Sequence, residues 1–98
     1  MTYIDQLAAA IRAETPLDRL PDDQDGLDEL FRLYALLALV RGQDVTARDV
    51  HDAWAVWMIN RGDGDHESVV SFGALAPETQ AEDEPFARAI REAVRQSH

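Results

Sequence analysis

The sequence has no cysteine among its 98 residues. That excludes a disulfide framework and any thiolate metal site, and it suits a reducing compartment. It has no lysine either: the nine basic residues are all arginine, set against 19 Asp and Glu, for a formal net charge of -10. Such a chain repels phosphate backbones and anionic lipid, so neither direct nucleic-acid binding nor membrane association is expected. Long apolar runs are missing as well. The longest, Leu33 to Val40, falls far short of the roughly 20 residues a bilayer-spanning helix needs. Met1 to Ala13 carries Asp5 and no basic start ahead of its apolar residues, so it does not read as a secretory signal. The expected location is the cytoplasm.

What remains is ordinary globular material, 46% hydrophobic and 29% charged, in a length that suits one hydrophobic core. A single domain over residues 1–98 is expected. Tyr3, Ile4, Leu7, Ala8 and Ile11 recur at helical spacing, and Thr2 with Asp5 has the form of a capping box, which predicts a first helix over residues 3–14. Pro16, Pro21 and the acidic cluster Asp22, Asp23 and Asp25 predict a connector, with Leu17 and Leu20 expected to pin it to the core. From Leu27 to Arg41 apolar residues wrap most of a helix circumference, so this second helix is either central or an interface. Gly42 is its expected stop.

Thr46 as N-cap, Asp49 three positions on, and Val45 stapled to Val50 agree on where a third helix starts. Its expected inner face is Val50, Trp54, Trp57 and Met58, and Gly62 is its expected stop. His66 to Leu75 follows neither a strand nor a helix period and is read as a buried irregular segment. Pro77 suits the first turn of a fourth helix, and Pro85 predicts a kink or restart. Phe86, Ala89, Ile90, Ala93 and Val94 then mark the inner stripe of a last helix, with Arg88, Arg91 and Arg95 opposite. The expected fold class is therefore all-α: a compact domain of four to five helices with a central apolar helix and an irregular segment before the C-terminal helices. Trp54, Trp57, Phe72, Phe86 and Ile90 are expected to share its core.

Sites of chemistry are few. Asp63, Asp65 and Glu67 open like a calcium loop, but its sixth and twelfth positions, which need Gly and a bidentate acid, hold Ser68 and Ala74. His51 and His66, with Asp52 or Glu67, supply metal or acid–base ingredients without a metal-binding spacing; the only other histidine is His98. Ser68 and Ser71 sit in no nucleophile elbow, and there is no phosphate-binding glycine loop. No enzyme, no metal site and no cofactor is expected on these grounds.

The run Val50-His-Asp-Ala-Trp-Ala55, followed by His66-Glu-Ser-Val-Val-Ser-Phe-Gly-Ala-Leu75 and by Gln80 and Asp83, resembles the ryanodine-receptor repeat (RyR) domain over about residues 46–96. His66, Val69, Val70, Phe72, Leu75 and Asp83 fall on the matching positions without a gap. The family's aromatic loop between the two His motifs is missing here, Glu67 and Ser71 replace its two prolines, Gln80 its lysine and Glu84 its arginine. The whole chain also looks like small proteins of unknown function from actinobacteria and their phages. The RyR resemblance implies a regulatory or ligand-sensing module, with nucleotides as the suspected ligands and His51, Trp54, His66 and Asp83 as the ligand-binding residues.

Three functions follow as expectations. The first is a non-catalytic binding or regulatory module, phage-encoded or actinobacterial, with a protein or small-ligand partner and a homodimer through helix 2. The second is an acidic inhibitor that mimics nucleic acid toward a host protein. The last is a small metal-dependent hydrolase using His51 and His66.

Overall fold

A computed structural model of the chain describes residues 2–20 and 26–96. Pro21, the cluster Asp22, Asp23 and Asp25, and the terminal His98 lie outside the described residues. Among the described residues five α-helices run α1 Tyr3–Glu14, α2 Leu27–Arg41, α3 Ala47–Asn60, α4 Pro77–Ala81 and α5 Glu84–Gln96, with short 3-10 turns at Leu17–Arg19, Gly42–Asp44 and Phe72–Ala74. There is no strand among the described residues. The radius of gyration is 12.7 Å, as expected for one compact domain of this length.

Local chemistry explains where the helices start. Thr2 and Thr46 each accept from the amide three residues on, Asp5 and Asp49, whose carboxylates return the bond to the cap amide. Two otherwise unpaired donors are thereby satisfied at each start. Val45 and Val50 are both buried at the second of these starts. Pro85 falls in the first turn of α5, where a missing N–H costs nothing, and the chain restarts there after α4 as its position predicts.

α2 is the central element: it packs on α1, α3 and α5. Its inner face is Leu27, Leu30, Phe31, Tyr34, Ala35 and Ala38, all buried. Around it the core draws in Leu7 and Ile11 of α1, Val50, Trp57 and Met58 of α3, and Ala87, Ala89, Ile90, Ala93 and Val94 of α5. The small residues of α5 let its backbone lie close to its neighbours.

Four expectations are corrected. Leu17 does not pin the connector; it is 87% exposed on a 3-10 turn, and only Leu20 packs against the core. Trp54 and Phe86 are half-buried at the margin of the core rather than within it, and Phe72 lies outside it, against the His51 ring. His51 itself is buried on the inner side of α3, where the apolar pattern had not placed it. Arg91 is not on a solvent face: it donates to the Val45 carbonyl at 2.7 Å and to Glu84 at 2.8 Å. The hydrogen bond to Val45 fastens α5 to the start of α3, while the Glu84 pair, within α5 itself, holds the guanidinium in place.

Candidate functional site

α3 carries His51 and Trp54 one turn apart, so both rings leave the helix on the same side. The irregular segment and the α4–α5 corner close around them. His51 Nε2 lies 2.6 Å from the Val70 carbonyl oxygen. A carbonyl can only accept, so Nε2 carries the proton and, in the neutral ring, Nδ1 keeps its lone pair. Nδ1 lies 3.8 Å from Asp83 Oδ2, beyond hydrogen-bond reach. The His51 ring packs at 5.6 Å and 32° against Trp54 and at 6.0 Å against Phe72. Trp54 meets His66 edge-on, at 5.6 Å and 87°. The Trp54 indole thus contacts both imidazoles.

His66 is positioned by its own turn: its Nδ1 accepts from the Ser68 amide at 3.0 Å, and its amide donates to the Asp63 carbonyl. Gln80 of α4 donates to the carbonyls of Phe72 and Leu75, which holds the 3-10 turn against the corner. Burial raises the Asp83 carboxyl to about 6; His51 opposes that rise and the neighbouring Glu82 adds to it. Burial also raises the Tyr34 phenol, with a further push from the Asp83 charge.

The residues the sequence singles out, His51, Trp54, His66 and Asp83, do converge. Together with Ser68, Thr79 and Glu82 they line one cavity of about 130 Å³. The last three were missed. Thr79 and Glu82 stand four and one residues before Asp83 around the same corner, and Ser68 is two residues after His66; that proximity was the only signal. The described residues contain no group of three or more His, Asp or Glu able to hold a metal ion. Asp63 is engaged with Arg61 at 3.0 Å.

A second concavity lies on another side of α3. Leu33, Leu36, Leu37 and Val40 of α2 face Ala53 and Val56 of α3 across a groove of about 410 Å³, with Asp49 and Asp52 at its edge. Val40 is 71%, Leu36 51% and Val56 46% exposed. Asp49 is held below the ordinary carboxylate range: burial pushes it up, but the Thr46 amide and Arg41 more than offset that. The sequence marked the α2 side of this groove. The α3 side was legible only as the spacing of Asp49, Asp52, Ala53 and Val56 along one helix face.

An all-helical fold with a small polar cavity and an apolar groove defines a class of domain rather than a reaction. Residues 2–95 match the family described as a domain of unknown function (DUF7701), and the chain belongs to that family. No curated protein and no solved structure matches it. No described helix is long and apolar enough to cross a membrane.

Proposed function

We propose that the chain is a non-catalytic binding module that holds an amphipathic helix of a partner protein in the groove between α2 and α3. The observation that carries this reading is the exposure of Leu36, Val40 and Val56 side by side. A monomer in water gains nothing by exposing such a stripe, whereas a helix laid into it buries apolar area on both sides. The edge chooses the occupant. Asp52 is exposed and has no ion-pair partner among the described residues, and the chain carries a net charge of -10. A partner with Arg or Lys flanking its apolar face is therefore favoured over a second copy of this chain, which would bring like charges together.

The other readings have less support. The Val70 carbonyl takes His51 Nε2, and Ser68 meets His66 through its amide, an arrangement unlike an activated hydroxyl nucleophile. A whole nucleotide, the ligand class implied by the RyR resemblance, needs far more room than the 130 Å³ beside Trp54, since ligand pockets run to roughly 300–1,000 Å³. Asp5, Asp28, Asp49, Asp63, Glu84 and Glu92 each lie within ion-pair distance of an Arg, which weakens any imitation of a phosphate row.

Titrating the isotope-labelled chain with a helical peptide that carries Leu at i, i+3, i+4 and i+7 and Arg on its flanks tests the proposal. Amide shifts confined to α2 and α3 around Leu36, Val40 and Val56, and abolished in Val56→Glu, support it. Shifts that persist in that variant, or none at all, overturn it.

A further inference from the structure

Given that the groove between α2 and α3 holds a basic amphipathic helix of a partner protein, we infer that Glu29 and Asp52 fix the register of that helix as a diagonal charge clamp. One spacing recurs on both walls. α2 carries Glu29, Leu33 and Leu36 at i, i+4 and i+7, and α3 carries Asp52, Val56 and Ile59 at the same intervals. On each helix an acid and two apolar residues therefore share one face. Leu36, Val56 and Ile59 are exposed, and so are both acids.

The two walls run in opposite directions. At one end Arg41 pairs with Asp49 at 3.1 Å, and at the other the Trp57 indole donates to the Gly26 carbonyl at 2.9 Å. The start of α2 thus lies beside the end of α3. Each acid precedes the apolar residues of its own helix, so Glu29 and Asp52 stand on opposite walls and toward opposite ends. Asp52 is one turn in from the Arg41–Asp49 pair, which puts its level about eight to nine residues of α2, on the order of 12 to 13 Å, from that of Glu29.

These two carboxylates differ from their neighbours in charge pairing. Arg41 holds Asp49, and Arg12 stands 3.7 Å from Asp28, whereas neither Glu29 nor Asp52 has an ion-pair partner among the described residues. A basic residue on the bound helix meets either of them without competition from the chain's own arginines. Advancing nine positions along a helix covers about 13.5 Å and about two and a half turns, which carries a side chain to the far end and to the opposite flank. Arg or Lys at i and i+9, with the apolar anchors between them, therefore reaches both acids. Two basic residues one turn apart at the same end reach only one. A second copy of this chain would set acid against acid at both corners.

Two helical peptides of one composition test the clamp in NMR titrations of the intact, isotope-labelled chain. Both carry the same Leu anchors; one has Arg at i and i+9, the other has both Arg one turn apart at the same end. The first is expected to bind about threefold more tightly, as one further exposed ion pair permits. Glu29→Gln combined with Asp52→Asn, two exposed positions where the carboxamide keeps the shape and removes the charge, is expected to abolish that preference, and about 0.5 M salt to shrink it. Equal affinity of the two peptides for the wild-type chain, or a preference that survives in the double variant, overturns the clamp and leaves the groove reading intact. No shift around Leu36, Val40 and Val56 with either peptide overturns the groove reading and the clamp with it.

Discussion

The Nε2–H of His51 donates to the carbonyl of Val70 at 2.6 Å, tying the first half of α3 to a segment nineteen residues further on. His51 is otherwise surrounded by Trp54 and Phe72. With Gln80, which donates to the Phe72 and Leu75 carbonyls, this side chain holds the irregular segment 61–75 onto the domain, and it forms part of a cavity wall.

Removing it should loosen the segment before it unfolds the domain. His51→Ala is expected to cost about 2 to 4 kcal/mol, from a lost buried hydrogen bond and the void left beside Trp54. Chemical denaturation measures the cost, and hydrogen exchange should show the amides of residues 66–75 losing protection first.

Asp83 gives the fold a pH dependence of known sign. Its carboxyl lies at about 6 in the folded chain, against an ordinary 3.8. Between these values the folded state holds more protons than the unfolded one, so this group's contribution falls as pH rises from about 4 to about 6. The penalty above that range has an upper bound of about 3 kcal/mol, and the 17% exposure of the side chain reduces it. Asp83→Asn should match wild type near pH 4 and be more stable, by about 1 to 2 kcal/mol, near pH 7.5. Urea denaturation at the two pH values checks this; equal stabilities near pH 7.5 would contradict it.

Gly26 and Trp57 form a second long-range lock. The indole N–H of Trp57 donates to the Gly26 carbonyl at 2.9 Å, and Gly26 has a φ of 78°. A Cβ at this position would meet Trp57 Nε1 at 3.2 Å. Gly26→Ala therefore combines a left-handed backbone cost with pressure on the indole, about 1 to 3 kcal/mol in all. Thermal melting of that variant beside Gly73→Ala is the control, since a Cβ at Gly73 meets nothing within 4 Å.

Arg91 supplies the fourth prediction. Arg91→Ala leaves the Val45 carbonyl without the Arg91 donor and takes from Glu84 the nearer of its two Arg partners, which should cost about 2 kcal/mol. Arg88→Ala, whose guanidinium is well exposed and 3.7 Å from Glu84, should cost less than about 1 kcal/mol. Equal losses in paired melts would remove the structural role assigned to Arg91.

Much of this fold was legible because its signals are local. The Thr2–Asp5 and Thr46–Asp49 capping boxes span three residues each, and Pro85 acts on its own turn, so their consequences follow from spacing alone. The crowded apolar circumference of α2 posed a choice between a central helix and an interface; one side is buried against three helices while Leu36 and Val40 stay exposed. What escaped depends on partners distant in sequence. Arg91 finds Val45, Trp57 finds Gly26 and Gln80 finds the carbonyl of Phe72, and nothing in the periodicity of α5 or α3 marks those pairings. The cavity shows both sides of this limit. His51, Trp54, His66 and Asp83 were read from a motif resemblance, while Thr79 and Glu82 became visible only once α4 had turned the corner into α5.

Sedimentation of the chain alone, and with the Arg-flanked amphipathic peptide, tests the groove most directly. The account predicts an 11.0 kDa monomer at micromolar concentration that takes up one peptide per chain, with an analogue whose Arg flanks are replaced by Glu leaving it unchanged. A chain that sediments as a dimer by itself and takes up neither peptide would contradict it, and would assign the α2–α3 face to a second copy.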